Sequence, residues 1–136
     1  MEYIDLGLPS GKLWATKNEE GYYSFNDAKH KFKDKLPTAD DWEELFANTN
    51  AKVDKKRNGI ILAGANGNRL FLPYSGRIND WNNMFDVNLF GYYWAFVLDG
   101  NGNPDSRFVL LNSGDMEVYY NWSWWSKYSV RLIKTK

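Results

Sequence analysis

The chain has 136 residues, with 17 Lys plus Arg against 17 Asp plus Glu, a formal net charge of zero and no cysteine. A chain of this length builds about one domain that buries roughly two thirds of the surface its unfolded form exposes. Without cysteine there is no disulfide, thiolate nucleophile or Cys-ligated zinc, and balanced charge provides no global field toward nucleic acid or an anionic membrane. No apolar run approaches the ~18 residues of a membrane span, and Met1-Glu2-Tyr3-Ile4-Asp5 carries no basic segment followed by an apolar one, so a soluble domain without a signal peptide or membrane insertion is expected.

Residues 3–18 hold Tyr3, Ile4, Leu6, Leu8, Leu13 and Trp14, interrupted by Gly7, Pro9, Ser10 and Gly11. This pattern predicts two short strands joined by a Pro-Ser-Gly turn. A short helix ending at Phe32, capped by Ser24 or Asn26, would place Phe25, Ala28 and Phe32 on one face. Thr38 is a stronger start: it follows Pro37 and precedes Ala39-Asp40-Asp41, whose acids suit the first turn, and Trp42, Leu45 and Phe46 form the apolar stripe of a helix ending near Thr49.

Residues 52–57, KVDKKR, read as a solvated turn. Ile60-Ile61-Leu62, then Ala65-Asn66-Gly67-Asn68, then Leu70-Phe71-Leu72-Pro73 predict a β-hairpin with Asn-Gly turn chemistry. Residues 76–90, with Asn79, Asp80, Trp81, Asn82, Asn83, Asp86 and Asn88, predict a long loop of the kind that more often serves function than accident. Strands are predicted over 92–97, 107–111, 116–120 and 128–133, with a Gly/Asn/Pro loop over 99–106. There are no repeats, low-complexity tracts or linkers. The expected class is α+β, a single domain over residues 1–136 with two early helices and several short, mostly antiparallel strands.

Residues 119–128 read YYNWSWWSKY, three of the seven tryptophans and three of the nine tyrosines with no aliphatic side chain. Buried strands draw on Val, Ile and Leu, whereas large rings tipped with N–H or O–H and mixed with Asn and Ser are the composition of binding surfaces. Tyr119, Tyr120, Asn121, Trp122, Ser123, Trp124 and Trp125 are therefore the leading ligand-binding candidates. Alternation cannot place Trp124 and Trp125 on one strand face, so one of them is expected to be buried or in an irregular turn, and two of the three tryptophans accessible. Trp81 and Asn82 have the same character in weaker form, either as part of a joint surface with residues 122–125 or in a solvated loop that Trp81 pins down.

Asp105 is a further ligand-binding candidate. Its context, Asn103-Pro104-Asp105, resembles the X-Pro-Asp motif through which sugar-binding C-type lectins hold calcium, but Asn replaces the usual Glu or Gln and Tyr120-Asn121-Trp122 stands where a Trp-Asn-Asp triplet would. Calcium needs six to eight oxygens, and Gly100-Asn101-Gly102 before it is ordinary turn chemistry, so no metal is expected. The sole histidine, His30, sits between Lys29 and Lys31, and Asp40-Asp41 and Glu43-Glu44 suit a helix N-terminus better than acid/base work. No catalytic residue and no cofactor are expected.

Five ordered segments carry a family resemblance: residues 5–16 (DLGLPSGKLWAT); Leu36-Pro37-Thr38 with Trp42 and Glu44-Leu45; Asn66-Gly67 leading to Phe71-Leu72-Pro73; Gly91-Tyr92-Tyr93-Trp94; and Tyr128-Ser129-Val130-Arg131. Together they resemble the Fibrobacter major paralogous domain, abundant in gut Bacteroidetes and their phages, over nearly the whole chain. The resemblance implies a C-type-lectin-like fold, shared with formylglycine-generating enzymes, whose cysteines this chain lacks, and with the variable proteins of diversity-generating retroelements. It also implies structural work for Trp14, Trp94 and Val130 in the core, Gly7, Gly11 and Gly91 in turns or tight packing, and Arg131 on a buried carboxylate or carbonyl. The segment from Gly91 onward sits where a hypervariable display region would lie, and its Asn, Tyr, Ser and Asp content is compatible with adenine-targeted codon change.

The expectation is a non-catalytic domain for receptor or glycan recognition, monomeric and displaying a variable aromatic and polar surface near its C-terminus to a protein or glycan on a cell or virion. It would work at the cell surface, outside the cell or on a phage particle. The alternative is an assembly module of a surface fimbria or phage tail, with the aromatic face as a subunit interface.

Overall fold

A computed structural model of the chain describes residues 2–113, 115–121 and 125–136. In chain order the elements are β1 (Tyr3–Ile4), β2 (Leu13–Ala15), α1 (Phe25–Phe32), a 3-10 turn (Lys33–Lys35), α2 (Ala39–Ala47), β3 (Thr49–Asp54), β4 (Gly59–Gly64) and β5 (Arg69–Pro73). There follow β6 (Arg77–Ile78), β7 (Met84–Phe85), β8 (Gly91–Leu98), β9 (Pro104–Leu111), β10 (Met116–Tyr120) and β11 (Ile133–Lys134). The class is α+β, and the named strands pair antiparallel.

Local chemistry sets both helices. Of the two candidate caps for α1, Ser24 is the one used, its Oγ accepting from the Asp27 amide at 3.2 Å. Thr38 and Asp41 form a reciprocal capping box at α2: Thr38 Oγ1 accepts from the Asp41 amide at 3.0 Å, and Asp41 Oδ2 accepts from the Thr38 amide at 2.9 Å. Helix α2 ends at Ala47 because Asn48 caps it and Thr49 already begins β3. The stripe then packs inward, Trp42 against Trp14 at 4.6 Å between ring centroids.

The middle sheet, ordered β10-β9-β8, is covered on both faces. On one side Tyr93, Ala95, Val109 and Leu111 join Trp42 and Leu45 of α2 and Leu62, Leu70 and Leu72 of the hairpin. On the other, Trp94 and Phe108 join Ala28 and Phe32 of α1 with Tyr128, Val130 and Leu132. Double burial explains why β8 reads GYYWAFVL, a continuous apolar run with no polar alternation.

Four segments differ from expectation. Residues 52–54, read as solvated turn, belong to β3, a strand whose polar sequence hides it because it lies at a sheet edge. The 76–90 loop contains the small hairpin β6–β7. Strand β9 begins at Pro104, three residues early, so Asp105 lies on a strand. Residues 128–133 form no continuous strand; they run as a stave bridging Tyr23 to Tyr128, Ile78 to Lys127 and Tyr93 to Ser129 before β11 pairs with β2.

Arg131 fastens this stave. It is only 1% exposed, donating from Nε to Asn18 Oδ1 at 2.8 Å, from Nη1 to the Ala15 carbonyl at 3.1 Å and from Nη2 to the Phe71 carbonyl at 2.8 Å. Of the two expected kinds of acceptor, the structure shows the carbonyls. Burial pulls the guanidinium pKa down from its ordinary value. Asn18 in turn donates to the Tyr93 hydroxyl at 3.2 Å, which donates to the Pro73 carbonyl at 2.7 Å.

Arg131→Met keeps a long apolar stem but strands one buried and two part-buried acceptors, so it should cost about 3 kcal/mol or more in urea unfolding. Thr38→Ala removes only a cap and should cost about 1 kcal/mol. Equal losses would show that Arg131 is not the fastening.

Candidate aromatic recognition site

The antiparallel Ile78–Lys127 bridge brings the two candidate loops together, each amide donating to the other residue's carbonyl at 3.0 and 2.8 Å. In an antiparallel bridge, residues following one partner and preceding the other depart in the same direction. The β6–β7 turn carrying Trp81 and the segment carrying Trp125 therefore leave the scaffold side by side. Both rings are open to solvent, Trp81 at 83% and Trp125 at 67% exposure. Trp81 thus stands out from its loop and does not pin it down.

Beside Trp125 lies an open cavity of about 380 Å³. Its walls are Ser24, Phe25 and Asn26 at the start of α1, Ser106 of β9, and Asn121, Trp125 and Lys127. Asn121 Nδ2 donates to Ser106 Oγ at 3.2 Å. The cavity thus offers an exposed indole with hydroxyl, amide and ammonium groups around it, the mixture that binds an amphipathic ligand by stacking and directed hydrogen bonds.

The remaining candidates are distributed differently. Tyr119 is half-buried, stacked on Phe108 at 5.6 Å with its hydroxyl donating to Glu117 Oε2 at 2.8 Å. Tyr120 pairs with Arg107, whose guanidinium lies 4.1 Å from the ring centroid. Asp105 accepts from Arg107 at 2.9 Å. Since side chains alternate across a strand, Asp105, Arg107 and Tyr120 share the α2 side of the sheet, while Ser106 and Asn121 share the α1 side. Trp122, Ser123 and Trp124 lie outside the described residues. Asn82 occupies the β6–β7 turn at φ 63°.

Much of the polar content of residues 76–90 is used by the loop itself. Asn79 Oδ1 accepts from the amides of Trp81 and Asn83 at 3.0 and 2.9 Å, and Asn82, Asp86 and Asn88 adopt left-handed backbone, which Asn and Asp tolerate best. Gly76, at φ 71°, closes the loop where a Cβ would collide with the Phe85 carbonyl. The loop also presents apolar side chains to solvent: Trp81, Met84, Phe85, Val87 and Leu89 are exposed. Sequence reasoning missed Ser24, Phe25, Asn26, Ser106 and Lys127 as cavity walls. Only the long-range docking of α1 beside β9 brings them there, so no local signal marks them.

Beneath the site lies a block of rings centred on Tyr128, 4.4 Å from Trp94, 5.2 Å from Phe108 and stacked on Tyr92 at 5.4 Å. Tyr128, the last ring of the aromatic run, is therefore core. Burial and a hydrogen bond to Asp86 push Tyr92 up to about 12, and burial also raises Tyr93 and Tyr128. Among the described residues no group of three or more His, Cys, Asp or Glu could hold a metal ion. His30 is exposed, its Nδ1 2.8 Å from the Asn26 carbonyl. No described helix is long and apolar enough to cross a membrane. The chain matches no protein-family model, no curated protein and no solved structure.

The raised phenols set an alkaline limit. The unfolded chain releases these protons near pH 10 while the fold holds them, Tyr92 to about 12, so the phenols' contribution to stability is level below about pH 10 and falls as pH climbs toward 12. Urea midpoints at about pH 9 and about pH 11 should show the drop, and Tyr92→Phe should make it shallower. A flat profile would contradict the buried-phenol account.

Proposed function

We propose that this chain is a non-catalytic recognition domain of C-type-lectin-like fold, related to the Fibrobacter major paralogous domain, that binds a protein or glycan on a cell or virion surface. One observation carries the reading. Of the eight large apolar side chains exposed among the described residues, Trp81, Met84 and Phe85 lie on the β6–β7 hairpin and Trp125 on the segment that the Ile78–Lys127 bridge joins to it, four on one pair of adjoining segments. Exposed apolar side chains scattered singly need no explanation, but a concentration of them marks an interaction site. The cavity beside Trp125 adds directional polar groups of the sort that give a stacked ligand its orientation.

A second reading, an assembly module of a fimbria or phage tail, draws support from Met84, Phe85, Val87 and Leu89. These side chains supply area for a subunit contact and carry no polar group for orienting a sugar. The seat of diversification in the first reading would lie within the segment from Gly91 onward, at exposed positions such as Tyr120 and Trp125 on which the core does not depend.

On an immobilised glycan array and on intact bacterial cells, Trp81→Ala with Trp125→Ala should abolish binding while leaving the melting temperature within a few degrees, since exposed side chains contribute little to stability. A collapse of the fold would reassign the rings to the core. Sedimentation at high concentration should give a monomer; an obligate oligomer that the same two substitutions dissociate would support the assembly reading. For diversification, the expected genomic neighbourhood holds a reverse transcriptase and a near-identical repeat differing from the gene at adenines, and a neighbourhood with neither would remove that part of the proposal.

A further inference from the structure

A second surface, sharing no residue with the aromatic site, is the outer face of the β3–β4–β5 sheet. Ile60, Leu62, Leu70 and Leu72 are buried on the inner face, so Ile61, Ala63 and Phe71 turn outward, each half-buried. Register places Lys52 beside Ile61, and Asn50 and Arg69 on the two sides of Ala63. An open groove of about 600 Å³ runs over this face, and Lys55 and Lys56 close the end at the β3–β4 turn.

The groove is cationic as well as aliphatic. Its lining holds one acid, Asp54, and Arg57 Nε already donates to Asp54 Oδ2 at 2.7 Å. Among the described residues, no carboxylate lies within ion-pair distance of Lys52, Lys55, Lys56 or Arg69. Four uncompensated cations thus gather on one sheet face of a chain whose net charge is zero. They are spread along the strands: Arg69 is level with Ala63, Lys52 with Ile61, and Lys55 and Lys56 lie beyond the Asp54–Gly59 pair, a span of roughly 15 to 20 Å.

We propose that this face docks an acidic amphipathic helix of a partner protein. The cations select carboxylates, and the aliphatic floor that Lys52 and Arg69 flank receives the partner's apolar stripe. Sheet geometry selects a helix over an extended segment. Strand β4 is paired along both edges, so a strand laid across the face would find no backbone partner for its N–H and C=O groups, whereas a helix satisfies its own. The span of the cations corresponds to about three helical turns. Single-stranded nucleic acid would use the charges but not the floor, since it binds by stacking bases on open rings, and the ring here, Phe71, is covered by the Arg57 guanidinium at 4.2 Å. A second copy supplies the wrong helix: α2 is acidic, with Asp40 and Glu43 exposed, but its Trp42 and Leu45 are buried in its own core and leave no apolar stripe for the floor.

The test uses a fluorescein-labelled synthetic peptide of glutamate, alanine and leucine, its leucines three and four residues apart, titrated against the protein by polarisation at low salt. Binding should be saturable and weaken at least about tenfold in Lys52→Glu with Arg69→Glu, a pair of exposed substitutions whose melting curve should match that of the parent. It should persist in Trp81→Ala with Trp125→Ala, which leaves this face untouched. Ile61→Thr should weaken binding without altering its salt dependence, because that change removes apolar contact and no charge. Four outcomes would overturn the proposal: no saturable binding, which would make the cations a solvated face; equal binding of polyglutamate or of a scrambled peptide of the same composition, which would make the groove a general anion patch; undiminished binding in Lys52→Glu with Arg69→Glu, which would place the peptide elsewhere; or self-association of the protein that those two substitutions abolish, which would make a second copy the occupant.

Discussion

One buried guanidinium holds the molecule together. Arg131 reaches a side chain and a carbonyl near the start of the chain and a carbonyl on the hairpin, joining three segments that no continuous sheet connects. A charge inside a protein is tolerated only when its donors are satisfied, and here three acceptors occupy fixed positions on β2, just beyond it and on β5. That demand fixes how the C-terminal stave lies between the sheets. From it follow the Tyr93–Ser129 and Ile78–Lys127 bridges, and hence the place where the aromatic segment leaves the fold.

The architecture separates rigidity from display. Tyr128 and the rings around it form the floor, and Ser75 and Ser129 join hydroxyls at 2.7 Å beside it. Above this floor, the β6–β7 turn and Trp125 carry side chains on which the core does not depend. A recognition surface made in this way can change its side chains without renegotiating the packing that supports it, because its ends are held by backbone hydrogen bonds that any residue except proline could make.

How much was legible in the sequence follows from which forces are local. The α2 cap was readable because Thr38 and Asp41 interact three residues apart, and the β4–β5 hairpin because Asn66-Gly67 announces its turn. Strand β3 was not, since an edge strand with a solvated face needs no apolar alternation and its Lys52 runs on into Lys55 and Lys56 of the following turn. The aromatic run was readable as composition but not as a division of labour: whether Tyr119 or Tyr128 faces in or out depends on Phe108, Tyr92 and Trp94, which lie far away in sequence. The Asn-rich loop reads in a different way, because part of its Asn content serves the backbone: Asn82 and Asn88 take left-handed conformations and Asn79 holds the amides of Trp81 and Asn83.

The fastening of the stave also governs how the molecule can come into being. Arg131 bonds to partners 113, 116 and 60 residues away in sequence, and contacts between such distant positions repay their loop-closure entropy only when the whole arrangement is nearly complete. On a ribosome, the helices and the β3–β4–β5 hairpin could form while an unfilled slot remained between them. Emergence of residues 126–134 would then close the fold in one late, cooperative step.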